Sequence, residues 1–207
     1  LFKIILILIL IIIFFISYLS IYGIKTDKFN ELIKSQVNKQ DKKLDIDLKD
    51  VFIKLNIKER SFSLNSRNVN LFILKEKQEI DNVDIFIDLV SFLKQENEIK
   101  KIIINSKENK ILDLIKFIRA YKINIPVLYL ENSITEGNII YNIIINFDDK
   151  NLNQIEINGK IINAELNIFG KNKFQNINLN FDYKTQKLKF TDLKFNHKGI
   201  AFVSQKI

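Results

Sequence analysis

The sequence predicts a mostly β protein of the α+β class, in which an N-terminal transmembrane helix precedes an antiparallel sheet with two short helical insertions. Three observations predict it. The chain begins with a long apolar run. Most of the remainder alternates apolar and polar residues, a period of two that is typical of half-buried antiparallel strands. Within this alternating region, helical spacing replaces the strand pattern at two places, which are the predicted insertions.

Residues 1–24 form the predicted transmembrane anchor, and from Ile4 to Ile16 no side chain carries a polar atom. As a helix at about 1.5 Å per residue, Ile4 to Ile24 would reach about 31 Å, the thickness of a hydrocarbon core. A cleaved signal peptide is the main alternative, but its apolar region is usually about 7 to 15 residues and ends at a small-x-small site. Residues 17–20 (SYLS) form no such site, so we expect an uncleaved single-pass anchor rather than a signal or a buried core helix.

Charge and composition exclude several classes of function. The net charge is +8, yet the lysines are mostly scattered singly and no basic run of five occurs. Because there is no stripe of arginine and aromatic residues, we expect no nucleic-acid partner. Cysteine is absent, which excludes zinc–thiolate and thiol chemistry. Methionine is also absent and the last residues still alternate like a strand, so we expect the chain to be part of a longer protein.

Residues 25–43 are predicted to form an amphipathic helix and a linker. Thr26 or Asp27 can cap a helix that runs to Gln40. The apolar residues on one face of this helix are Phe29, Leu32, Ile33 and Val37. This stripe can lie on the bilayer interface or plug the end of the next domain, and we favour the plug.

The β-rich domain is predicted over residues 44–207. At Leu44 the period changes to two, and the parity of the apolar positions shifts near Asp50, which predicts a bulge or turn there. The insertions are helices predicted at 89–96 and 110–121, the second capped by Ser106 or Asn109. Pro126 is expected to open a strand that continues to residue 130.

From residue 139 onward the alternation is cleanest, with one apolar face and one face rich in asparagine. The apolar face is the candidate site, and its predicted residues are Ile139, Tyr141, Ile143, Ile145, Phe147, Ile162, Leu166, Ile168, Ile177, Leu179 and Phe181. The opposite face carries Asn142, Asn146, Asn163, Asn167, Asn176, Asn178 and Asn180. Turns are predicted at 148–151, 170–172 and 184–186.

The sequence contains no constellation that indicates catalysis or metal binding. His197 is the only histidine, and we interpret it as a solvated turn residue without a catalytic partner. Asp45 and Asp47 lie on the polar side of a strand, without the Gly-containing loop or the distal glutamate of a calcium site. We therefore expect no enzyme, no metal and no cofactor.

A sheet that is apolar on one side must be covered. A second sheet or the helices can close the domain, which then needs no ligand. The alternative is a curved sheet whose inner face stays open as a trough for acyl chains. Both arrangements need the same alternation, and the pattern alone favours the closed sheet.

Five features follow one another in a characteristic order: the anchor, a short helix at 29–33, a strand beginning at 44–48, a segment at 83–93 (VDIFIDLVSFL) that enters a short helix, and a strand at 102–105. This order resembles the N-terminal part of the AsmA-like bacterial envelope proteins, the group that includes AsmA, TamB and YhdP. The resemblance covers most of the chain, and it lies in order and spacing rather than in identity.

The resemblance implies a single-pass protein of the bacterial inner membrane, with the bulk of the chain in the periplasm as a curved antiparallel β-sheet groove. Its implied function is to bind phospholipid acyl chains and conduct them between the envelope membranes, which supports outer-membrane integrity. Membrane lipids are then the partners, and envelope proteins are further candidates. Two alternatives stay open: a structural or assembly scaffold with a closed sheet, and a lipopolysaccharide-export component with a jellyroll. For the groove we expect Ile143→Asp to block transfer while the fold survives.

Overall fold

The computed structural model describes residues 2–26, 28–40, 42–94, 98–148, 151–168, 170 and 172–206. Within these ranges the chain forms five helices and twelve strands. The helices are α1 (Phe2–Ile21), α2 (Lys28–Gln40), α3 (Leu89–Leu93), α4 (Ile111–Tyr121) and α5 (Ile125–Ser133). The strands are β1 (Ile24–Lys25), β2 (Leu44–Asp47), β3 (Asp50–Asn56), β4 (Ser61–Ile73), β5 (Glu76–Asp88), β6 (Ile99–Ser106), β7 (Asn109–Lys110), β8 (Ile134–Asp148), β9 (Asn151–Ile168), β10 (Asn172–Lys184), β11 (Lys187–His197) and β12 (Ile200–Lys206).

The twelve described strands belong to one antiparallel sheet. Their order is β1-β3-β4-β5-β6-β8-β9-β10-β11-β12, with β2 paired to β4 and β7 paired to β8. Because β1 and β12 stand at opposite ends of this order, the sheet is open. The predictions of a mostly β protein, an antiparallel sheet and one long apolar N-terminal helix are confirmed.

Helix α1 is long and apolar enough to cross a membrane, and its apolar side chains are exposed. Only Tyr22 and Gly23 separate it from β1, which pairs directly with β3. Gly23 has a φ of +72°, and a Cβ there would lie 2.6 Å from the carbonyl oxygen of Ile53. Glycine therefore permits a close and short connection between the helix and the sheet.

We call the end of the sheet at which α1 joins it the anchor end. One row of paired residues at this end consists of Asn56, Ser61 and Asp88. The opposite end, which we call the far end, carries the β4–β5 turn at Leu74 and Lys75. Helix α4 also starts from the far end, because it directly follows β7.

The apolar positions change parity part-way along several strands, and residues with a left-handed backbone mark these places. The buried positions shift from Ile46 in β2 to Val51 in β3, as predicted near Asp50, and Asn68 in the paired strand β4 has a φ of 53°. Further positive-φ residues in β9, β10 and β11 are Asn163, Asn176 and Asp192. Asparagine and aspartate adopt this conformation more readily than other side chains, so the long strands can shift parity and keep their apolar residues on one face.

Helix α4 covers part of that apolar face. Its buried residues Ile111 and Ile115 belong to a core that also contains Val69, Ile80 and Ile139 from the sheet. The helix has its apolar positions on one side, so burying them against the sheet satisfies the 3.6-residue pattern that predicted it.

Helix α2 also packs against this core, through Ile33 and Val37. The Asn30 side chain donates a hydrogen bond to the Leu48 carbonyl at 3.4 Å. These contacts support the plug rather than the bilayer interface as the place of this helix. Of the other predicted residues, Asp27 and the side chains of Phe29 and Leu32 lie outside the described residues.

The strand predicted to start at Pro126 is wrong, because this segment is helix α5. The N-cap residue Asn124 accepts a hydrogen bond at Oδ1 from the Val127 N–H at 2.9 Å. Pro126 lies in the first turn, where a helix does not need its missing N–H. A short apolar run fits a strand or a helix equally well, and the cap decides between them. Three helices therefore lie between β5 and β8 among the described residues.

The predicted caps of α4 are also wrong. Lys110 stands at the N-cap position without a side-chain hydrogen bond. Ser106 Oγ instead accepts from the Tyr141 N–H at 2.7 Å, and Asn109 bonds the backbone of Glu79 in both directions. Both polar side chains therefore form hydrogen bonds with the backbone of sheet strands rather than capping the helix.

The turn predicted at 184–186 is confirmed, because Thr185 and Gln186 both have positive φ, as in a two-residue type I′ hairpin. The turns predicted at 148–151 and 170–172 include residues 149, 150 and 171, which lie outside the described residues, as do 95 and 96 of the first predicted insertion.

The interpretation of His197 as a solvated turn residue is wrong. Lys198 and Gly199 form the next hairpin turn, which leaves His197 as the last residue of β11. The histidine is half-buried, its ring stacks on Phe174 with centroids 4.5 Å apart, and Nδ1 lies 3.1 Å from the Lys173 carbonyl oxygen. Cross-strand packing therefore explains this residue.

Candidate functional site: the apolar face of the sheet

The apolar face continues across the sheet in rows of paired residues. Side chains that are paired in an antiparallel sheet point to the same face. One row consists of Ile53, Leu64, Ile85, Ile102, Ile145 and Ile155. The next consists of Val51, Ser66, Val83, Ile104, Ile143, Ile157, Tyr183 and Leu188. A single apolar surface thus extends from β3 to β11.

Part of this surface is covered and forms the core. Ile139 and Tyr141 are buried beside Ile111 and Ile115 of α4. Burial raises the pKa of Tyr141 to about 12. Helices α4 and α5 contact β4, β5, β7, β8 and β9, which places their cover over the middle strands of the sheet.

Toward β11 the same face is less covered. We call six residues of this region the open patch: Ile145, Ile155, Ile157, Tyr183, Leu188 and Phe190. Ile155 is 37% exposed and Leu188 is 54% exposed, while the other four are half-buried. They lie at the anchor end of their strands, and apolar area is thereby left in contact with solvent.

The opposite face of the sheet carries most of the polar side chains, together with apolar residues such as Ile103 and Ile144, which pair with each other. A row across it consists of Arg67, Asn82, Asn105, Asn142, Asn158, Asp182 and Lys189. The amides bond one another: Asn142 Nδ2 donates to Asn105 Oδ1, and Asn158 Nδ2 lies 3.4 Å from Asn142 Oδ1. Cross-strand hydrogen bonds between amide side chains therefore run along part of this face.

The eleven predicted site residues fall into three groups. Ile139 and Tyr141 are core residues, and the half-buried residues that pack against the core are Ile143, Ile177 and Phe181. The half-buried residues Ile145, Phe147, Leu166, Ile168 and Leu179 make up the second group. The third group is Ile162 alone.

Ile162 is on the other face, which corrects its predicted position. It pairs with Asn138, whereas its neighbour Ile161 pairs with Ile139 on the apolar face. The parity of β9 shifts at Asn163, which has a φ of 48°, so that Ala164 is again on the apolar side, where it pairs with Ile177. A strict two-residue alternation continued through Asn163 therefore assigns Ile162 to the apolar face, which is the wrong side.

Sequence reasoning missed several residues of the open patch. Ile155 and Ile157 alternate with Gln154, Glu156 and Asn158. The alternation that is typical of a strand therefore begins before Ile162, the first site residue predicted in this strand. Leu188 and Phe190 carry the same alternation in the next hairpin. Only the register of β9, β10 and β11 brings these side chains beside Ile145 and Tyr183.

Within the described ranges, no group of three or more histidine, aspartate or glutamate residues could hold a metal ion. What the apolar face can do chemically is bury hydrocarbon, at about 0.8 kcal/mol per methylene. No family model, curated protein or solved structure matches this chain.

Proposed function

We propose that this chain is a membrane-anchored module that binds the acyl chains of phospholipids on the apolar face of its sheet. The single observation that carries the proposal is the open patch, whose members share the apolar face, while the opposite face carries a row of hydrogen-bonded amides. Acyl chains match such a surface because they need apolar contact without directional bonds. The headgroup would remain in water.

The proposal extends to the AsmA-like envelope proteins as the family and to a groove-shaped sheet that conducts phospholipid from the bacterial inner membrane through the periplasm. Helix α1, the amphipathic helix and the order of strands support it. One open sheet also favours it over a lipopolysaccharide-export jellyroll, because a jellyroll needs two sheets, whereas the described strands form one.

Leu188 is a better position than Ile143 for a substitution that tests lipid binding. Ile143 packs against the helix-covered core, so an acid there would disturb the fold and could not isolate lipid binding. Leu188 is exposed on the apolar face, and Lys189, the next residue, is exposed on the polar face, where it pairs with Asp182. The two positions form a matched pair on one strand.

A benzophenone amino acid placed at position 188 should cross-link to phospholipid in cells, and the same amino acid at 189 should not. The adduct is identified by mass spectrometry of the purified full-length chain. Leu188→Asp should lower the phospholipid that co-purifies with the chain, because a carboxylate in an acyl-chain site is costly to desolvate, while Lys189→Asp should leave it unchanged. Equal labelling at 188 and 189, with no effect of Leu188→Asp, would exclude the open patch as a lipid site.

A further inference from the structure

The connection between α1 and the sheet determines what lies beside the membrane. Ser20, in the last turn of α1, and Ile57, just after β3, line the same cleft. The two-residue link and the close approach of Gly23 to Ile53 hold α1 directly against the end of the sheet. Residues at the anchor end next to β3 are therefore held beside the last turn of α1.

Two short segments project from this end. The first is the β3–β4 turn, residues 57–60, and the second is α3 with Lys94, residues 89–94; we call them the two tips. They are joined by a hydrogen bond from the Leu89 N–H to the Arg60 carbonyl at 3.1 Å. Each presents an apolar residue to solvent: Ile57 is 59% exposed and Val90 is 56% exposed.

Side-chain bonds hold the second tip in place. Asp88 accepts from the Ser91 N–H at 2.8 Å, and Ser91 Oγ accepts from the Glu98 N–H at 3.0 Å. Lys100 forms an ion pair with Asp88. The hydrogen bond from Lys100 and, to a smaller extent, the one from the Ser91 N–H hold the pKa of the Asp88 carboxyl below its ordinary value. Val90 is thus presented on a fixed turn.

The exposed charges around these apolar residues are mostly basic. Among the charged residues that the structure describes in the tips, the exposed basic residues are Lys58, Arg60 and Lys94, and the exposed acidic residue is Glu59. Basic residues near an anionic lipid surface each contribute attraction within a Debye length. Apolar burial and electrostatic attraction to anionic lipids together favour binding at a bilayer interface.

We propose that the two tips dock on the anionic phospholipid surface of the membrane that holds α1, with Ile57 and Val90 inserted at the headgroup level. This inference rests on the proposed anchoring of α1, and it adds a second attachment that fixes the sheet relative to the bilayer. The partner is a lipid surface because the site is continuous with the anchor and carries the complementary charge.

The test uses the absence of cysteine from the chain. Full-length single-cysteine variants Ile57→Cys, Val90→Cys and Lys75→Cys are labelled with an environment-sensitive fluorophore in nanodiscs of phosphatidylcholine with phosphatidylglycerol. Lys75 is the control, because it is an exposed turn residue at the far end. Nitroxide-labelled lipids should quench the fluorophore at 57 and 90 and leave that at 75 unaffected.

Charge is tested separately by Lys58→Glu combined with Lys94→Glu, with Lys75→Glu as the control. The double variant should lower quenching at position 57 several-fold, and discs of phosphatidylcholine alone should do the same.

The docking would be overturned if, in discs that contain the chain, quenching at 57 and 90 were no stronger than at 75. It would also be overturned by a fluorophore shielded from water but not quenched by nitroxide lipid, which would indicate a protein partner. Failure of the chain to enter the discs would overturn the anchoring itself, while cross-linking at Leu188 reports on acyl-chain binding independently.

Discussion

At the scale of single residues, two buried serines on the core side of the sheet differ in what they bond. Ser106 Oγ accepts the Tyr141 N–H at 2.7 Å, which satisfies a buried backbone donor between β6 and β8. Ser66 is equally buried, between Val51 and Val83 of the neighbouring strands, and its hydroxyl has no hydrogen-bond partner among the described residues. A buried hydroxyl without a partner destabilises a fold, and one that serves a buried N–H stabilises it.

We predict that Ser106→Ala and Ser66→Ala shift stability in opposite directions. Ser106→Ala should lower the free energy of unfolding by about 1–3 kcal/mol, because the Tyr141 N–H loses its acceptor. Ser66→Ala should be neutral or stabilising by about 1 kcal/mol, because it removes an unsatisfied hydroxyl. Thermal unfolding followed by circular dichroism in mild detergent measures both. Equal destabilisation by the two substitutions would contradict the assignment.

At the scale of elements, the pairing of β9 with β10 depends on a glycine. Gly159 pairs with Tyr141 on one side and Phe181 on the other. A Cβ at this position would lie 2.6 Å from the Phe181 ring and 2.4 Å from the Ile140 carbonyl oxygen. The phenylalanine ring therefore covers the glycine, an arrangement that stabilises glycines in sheets.

Gly159→Val should displace Phe181 and lower the free energy of unfolding by about 1–3 kcal/mol, the usual cost of overpacking. Lys160→Val is the control, because Lys160 is exposed on the polar face beside it and a β-branched residue is favourable in a strand. Denaturant unfolding of the two variants compares them. A Gly159→Val variant as stable as Lys160→Val would show that the ring does not need this space.

At the scale of the whole molecule, an open sheet is attached by its first strand to an exposed apolar helix. Helices α2 and α4 cover part of its apolar face, and the open patch remains beside the anchor end. The polar face bonds to itself through amides. The fold thus leaves part of the apolar face uncovered at the end of the strands at which α1 joins the sheet.

The proposed membrane attachment by α1 predicts that two charges within it release the chain from membranes. Replacing Ile9 and Ile12 by arginine should cost about 2.5–3.5 kcal/mol for each residue near the bilayer centre. We expect wild-type chain to resist alkaline extraction of membranes and the double variant to appear in the soluble fraction. Ile9→Leu with Ile12→Leu is the matched control and should stay in the membrane fraction. Retention of the arginine variant would show that residues outside α1 hold the chain.

The sequence by itself determined the features that depend on local pattern. The apolar run of α1, the alternation of the strands, the parity shift near Asp50 and the two-residue turn at Thr185 and Gln186 are all readable from nearest neighbours. Hydropathy and turn chemistry act over a few residues, so no knowledge of distant partners is needed.

Only the tertiary structure decided the features that depend on distant partners. The register of β9 with β8 put Ile162 on the polar face. Helix α4 turned Ile139 and Tyr141 into core, while β9 and β11 supplied Ile155 and Leu188 to the open patch. The physical reason is that strand register and helix packing are set by side chains far apart in the chain, which a period of two or 3.6 does not encode.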